Sequence, residues 1–156
     1  MTPTRSVEPW IKEPLERFVA EAGARLTLIM TTAGQVLAQH GFTRAVDVMA
    51  AAALGAAIHS STREIARAVG ESEFKALNHQ GIRHGIYLAE MHTPRGRLLA
   101  LVVYGTESSV GLVQLFYEDL VRELREACPR EERRKPVIAS NFERELDESL
   151  ASLFRR

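Results

Sequence analysis

The sequence predicts an α+β domain, an antiparallel sheet with helices on its faces. Three observations carry this. Helical and strand patterns follow the order helix, hairpin, long helix, three strands, helix. The strand runs are joined mostly by short turns, as antiparallel neighbours are. One run, Leu98 to Tyr104, is apolar almost throughout and reads as a central strand buried on both faces.

The first helix is carried by "LERFVAEAG", which sets Leu15, Phe18, Val19 and Ala22 on one face and offers Gly23 as C′ residue. Pro9 and Pro14 both suit a first turn, which leaves its start open. "ARLTLIMTTAGQVLAQHG" then reads as a hairpin. Leu26, Leu28 and Met30 alternate with Thr27, Ile29 and Thr31, Ala33-Gly34 is the turn, and Val36 and Ala38 lie on the return strand. Residues 45 to 69 form the longest helical pattern, closed by Gly70. Its middle, "AAAALGAAIHSS" from Ala50 to Ser61, carries small residues around more than one face. Alanine favours the helix but buries little area, so what it permits is close approach of another backbone. That reads as an interface, with tight internal packing as the alternative.

"KALNHQ", Lys75 to Gln80, follows as a polar edge strand with Ala76, Asn78 and Gln80 on one side. "GIYLAEMHT", a "PRG" turn and "RLLALVVYG" supply two more strands. In "SSVGLVQLFYEDLVRELREAC", Val113, Phe116, Leu120, Leu124 and Ala127 share a helical face, and Ser108 or Ser109 is the N-cap. The domain spans 1–128, a polar linker 129–139, and an amphipathic helix 140–156. Ser140 or Asn141 caps that helix, whose apolar positions are Phe142, Leu146, Leu150, Leu153 and Phe154. So short a helix is marginal alone in water, so its stripe must dock on this domain, a second copy or a partner groove.

Composition narrows the function. The 156 residues are 46% hydrophobic, enough for one domain with a core. Twenty Lys and Arg balance twenty Asp and Glu, so no basic excess points to nucleic acid, and "RRK" at 133–135 reads as a solvated hinge. The single cysteine, Cys128, reads as a helix-end thiol and excludes an internal disulfide framework. The N-terminus lacks a signal-peptide core, and no run approaches the ~20 apolar residues of a membrane span. A cytoplasmic protein is expected, without a membrane or nucleic-acid partner.

Catalytic and cofactor patterns are missing. His79, His84 and His92 lack the ligand spacing and the cysteine or carboxylate partners of a zinc site, and His59 suits helix packing or an interface better than a ligand role. "GTESSVG" has no GxSxG, and neither GxxxxGK[ST] nor GxGxxG occurs. The expectation is a binding module with no active site, cofactor or metal. A small-ligand sensor would need an apolar cavity, whereas the sequence reads as tightly filled. What remains is the polar edge at 75–80 beside the small-residue helix. Sheet continuation across a two-fold axis would satisfy its free backbone groups, with the helices packed beneath. The expected dimer seam is Ala52, Ala53, His59, Lys75, Ala76, Leu77, Asn78, His79 and Gln80.

"VGESEF" (69–74), "HQG" (79–81), "GIYL" (85–88), "LLALVVYGTESSVGLVQL" (98–115) and "LDESLASLF" (146–154) resemble the Roadblock/LC7 family, most closely its bacterial MglB-type members. The resemblance implies a five-stranded antiparallel sheet in αββαβββα order, plus the C-terminal helix. It also implies a homodimer joined through the strand around Lys75–Gln80. Such proteins stimulate GTP hydrolysis by a small Ras-like GTPase of the MglA type, in cell polarity and motility. They order its switch regions and insert no catalytic arginine. Carried over, the GTPase-facing residues are Ala56, Ala57, Ser60, Ser61, Glu64 and Arg67, with Phe142, Leu146, Leu150, Leu153 and Phe154 from the tail. Arg63 and Glu64 depart from the small residues often found late in this helix. They leave open a scaffold that recruits other Roadblock or polarity proteins without stimulating hydrolysis.

Overall fold

The computed structural model describes residues 3–130 and 135–154, with backbone alone for 135–143. Its elements are β1 (Arg5–Ser6), α1 (Pro9–Ala22), β2 (Ala24–Thr31), β3 (Val36–His40), α2 (Ala45–Val69), β4 (Ala76–Gln80), β5 (His84–Thr93), β6 (Gly96–Gly105), α3 (Val110–Ala127) and α4 (Lys135–Phe154). They give the expected α+β fold, with one antiparallel sheet in the order β1-β3-β2-β6-β5-β4. Five of the six strands are those expected. The sixth, β1, pairs Arg5 with Gln39 and Ser6 with Ala38, and two residues are too few for any sequence period to reveal.

Strand alternation sends the apolar residues to both faces. Ile29, Leu98, Ala100, Val102 and Tyr104 face α1 and α3, where Ile11, Leu15, Phe18, Val113, Leu120 and Leu124 complete the larger core. Leu28, Met30, Leu99 and Leu101 form the other core with Val48 and Ala52 of α2. The helix ends that abut the sheet are chemically closed. Gly23 stands at φ 66 and its amide donates to the Val19 carbonyl, while the Ser108 hydroxyl donates to the Ala22 carbonyl. One residue on, Ser109 Oγ accepts from the Leu112 amide at 3.2 Å and starts α3.

Three expectations change. Helix α1 begins at Pro9 as N1, so Pro14 sits inside it, in the second turn. Helix α4 begins at Lys135, inside the stretch assigned to a 129–139 linker, while 131–134 lie outside the described residues. Finally, α2 does meet the length and hydropathy of a membrane span, at a mean hydropathy of 1.2 over its most apolar stretch. Alanine raises that average, and the helix seats Val48, Ala52, Gly55 and Ala66 against its own protein.

Candidate partner-binding surface

The last strand of the sheet, β4, is paired to β5 along one side and to nothing along the other among the described residues. Its outer row of backbone groups is therefore available to another strand. All its residues are exposed except Leu77, which is half-buried and packs with the α2-side core. Alternation turns Asn78 and Gln80 to the opposite face. There the Tyr104 hydroxyl lies 2.8 Å from Asn78 Oδ1 and 3.1 Å from Gln80 Oε1.

Helix α2 divides into an inner stripe and an outer surface. The inner stripe runs Val48, Ala52, Gly55, His59 and Ala66, at intervals that keep one helical face. Two of the small residues read as an interface signature, Ala52 and Gly55, thus allow close approach to the protein's own sheet. A Cβ on Gly55 would come 2.9 Å from the Met30 methyl. Ala52, only 1% exposed, cannot face a second copy and leaves the expected dimer seam. His59 leaves it too, because its side chain turns inward to Glu90, 3.3 Å from Nε2 to Oε2, and is 12% exposed.

The outer surface holds what the composition concealed. Leu54, Ile58, Ile65 and Val69 are 64, 37, 56 and 64% exposed and recur along one flank of the helix. Ala53, Ala57, Ser60, Ser61, Glu64 and Arg67 are also exposed, and Ala56 is half-buried near the Gly34 turn. Glu64 and Arg67 are joined by a 2.8 Å ion pair, one turn apart and open to water. On α4, Leu146, Leu150, Leu153 and Phe154 are exposed, while the Phe142 side chain lies outside the described residues.

Beneath the C-terminal half of α2 sits a polar cluster of half-buried His59 and Glu90 with exposed Arg97. Glu90 Oε1 is 3.3 Å from Arg97 Nε, and its other oxygen meets His59. Desolvation pushes the His59 imidazole below the ordinary histidine value of about 6.5, against a smaller upward pull from Glu90. Burial likewise lowers His40, against a smaller upward pull from Glu16. Both rings therefore fold in the neutral form. Between their folded and unfolded pKa values the unfolded chain binds more protons, so stability is full above about pH 7 and falls as pH drops below about 6.5. Urea unfolding from about pH 8 to 5 should show this slope. His59→Gln should reduce it, and adding His40→Gln should reduce it further.

Of the other histidines, two meet single partners. His84 Nε2 is 3.0 Å from Arg25 Nη1, His92 is 3.9 Å from Glu73, and His79 is exposed on β4. Among the described residues, no three His, Cys, Asp or Glu side chains gather around one point. Cys128 is buried at the C-cap of α3. Two clefts, of about 540 Å³ between α1 and α3 and about 370 Å³ between β5 and α3, are bordered by charged residues such as Arg17, Glu123, Glu90 and Arg125. Neither is the enclosed apolar cavity that a small-ligand sensor needs.

Comparison with known proteins places this architecture. The Roadblock/LC7 domain model matches residues 11–103, from α1 to near the end of β6. The structure of MglB from Myxococcus xanthus superposes with a TM-score of 0.69 at 24% identity, covering 77% of this chain and 95% of that one. The gliding protein MglB of Thermus thermophilus superposes with a TM-score of 0.66 at 26% identity, covering 76% and 87%. An MglB described in a tetrameric arrangement gives 0.66 at 27% identity, covering 75% and 86%. No curated protein matches the sequence at a significant level.

Proposed function

The chain belongs to the Roadblock/LC7 family, and on that premise we propose that it is a homodimeric regulator of a small Ras-like GTPase of the MglA type. It has no active site of its own and stimulates hydrolysis by ordering the GTPase switch regions. The observation carrying this reading is the open β4 edge, together with the exposed apolar flank of α2. Two copies joined along both would lay two α2 helices side by side as a platform. The seam comprises Ala53 and Lys75–Gln80 from the sequence expectation, together with Leu54, Ile58, Ile65 and Val69.

The GTPase-facing surface is Ala56, Ala57, Ser60, Ser61, Glu64 and Arg67 of α2. The tail adds Leu146, Leu150, Leu153 and Phe154, with Phe142 assigned from sequence alone. Small side chains on α2 let a switch backbone come close, and preorganised contacts of this kind stabilise the transition state without a donated arginine. Residues 1–128 act as the dimerising domain and α4 as a separate arm.

Mixing the protein with the MglA-type GTPase of its own genome should raise phosphate release in proportion to complex formed. Unchanged hydrolysis at saturation, without co-elution, overturns the proposal. Truncation after Pro129 should leave the dimer intact and weaken GTPase affinity. A monomeric or unfolded product would instead make α4 part of the core. The second reading is a recruiting scaffold, favoured by Arg63 and Glu64 on the exposed side of α2. It predicts co-elution with another Roadblock subunit and no change in hydrolysis.

A further inference from the structure

Tyr104 is 2% exposed on the central strand β6, yet its hydroxyl reaches the sheet edge two strands away. The strand register explains how. Tyr104 stands opposite Gly85 on β5, and Gly85 stands opposite Gln80 on β4, so the three form one row across the sheet. The ring lies over Gly85, where an added Cβ would meet Tyr104 Cζ at 2.1 Å. Any side chain at 85 would push the ring aside. Glycine here serves close approach, and the aromatic ring covers the surface it leaves bare.

The hydroxyl carries one proton, which serves Asn78 Oδ1 at 2.8 Å or Gln80 Oε1 at 3.1 Å one at a time. Both partners lie on the strand whose outer side is open. A slip of one residue in β4 would turn Asn78 and Gln80 to the α2 face and leave a buried hydroxyl without them. The contact therefore selects one register for a short, exposed strand that packs only Leu77 against the core.

We infer that Tyr104, acting across Gly85, is the positioning residue that holds β4 in register for a second copy of this chain. The inference rests on β4 being the pairing edge. Its value to assembly is preorganisation: an edge already fixed loses less freedom when a partner strand adds to it.

The test is Tyr104→Phe, which keeps the ring over Gly85 and removes only the hydroxyl. Each dimer contains two such contacts, so the dissociation constant measured by sedimentation on dilution should rise at least about tenfold. Backbone hydrogen exchange should accelerate at residues 75–80 and stay unchanged in β2 and β6. Asn78→Ala should act in the same direction, and combining it with Tyr104→Phe should cost less than the two effects added. An unchanged dissociation constant with unchanged exchange at 75–80 overturns the inference. Acceleration spread evenly over the sheet also overturns it, because the hydroxyl would then be a general stabiliser. If the wild-type protein is itself monomeric, what fails is the pairing edge on which the inference stands.

Discussion

Replacing Ile58 and Ile65 together by glutamate is expected to turn the proposed dimer into a folded monomer. Both side chains are already open to water in a single copy, so the change removes little from the protomer core. Glutamate is also a better helix former than isoleucine, so α2 should persist. In the dimer the cost is doubled by symmetry, because each substitution appears on both sides of the seam. Apolar burial is lost and like charges face each other in a partly desolvated contact. A loss of about 4 kcal/mol corresponds to roughly a thousandfold rise in dissociation constant. Sedimentation at micromolar protein should then show a single copy, with unchanged thermal unfolding of the isolated protomer. A dimer that persists would place the seam away from this flank.

The second large effect is expected at Ala57. It is exposed on the outer surface of α2, so Ala57→Arg leaves the inner stripe of Val48, Ala52, Gly55 and Ala66 untouched. An arginine there holds a partner backbone several ångströms off and leaves its own charge to be desolvated on docking. GTPase stimulation at fixed protein concentration should fall at least about tenfold, since a displaced switch forfeits the transition-state contacts. The mass in solution should remain that of the dimer. Retained stimulation would mean that the GTPase docks on another face.

The sequence carried most of the fold because the signals at its boundaries are local. Gly23 and Gly70 close α1 and α2 with left-handed φ values of 66 and 77, and Ser109 caps α3. The almost wholly apolar Leu98–Tyr104 run reads as central and lies between β2 and β5, buried throughout except for the half-buried Val103. The faces of α2 were harder to read. A helix rich in alanine has little hydrophobic contrast, so its period does not say which small residues point inward. Ala52 and Gly55 do so because the helix rests close on Met30 and its neighbours, and the surface they vacate belongs to Leu54, Ile58, Ile65 and Val69. Tyr104 was hidden for the opposite reason. In a run that is apolar almost throughout, nothing local says that the hydroxyl of Tyr104 crosses to the edge strand. That contact depends on a glycine of the preceding strand, which only the register of β5 and β6 brings beneath the ring.

Self-association through the free side of β4 underlies the whole platform, and the mass of the unmodified protein in solution tests it most directly. Light scattering coupled to gel filtration at micromolar concentration should give twice the mass of one chain, dissociating only on strong dilution. A well-folded single copy across that range would contradict it, and the α2 platform proposed for the GTPase would not exist.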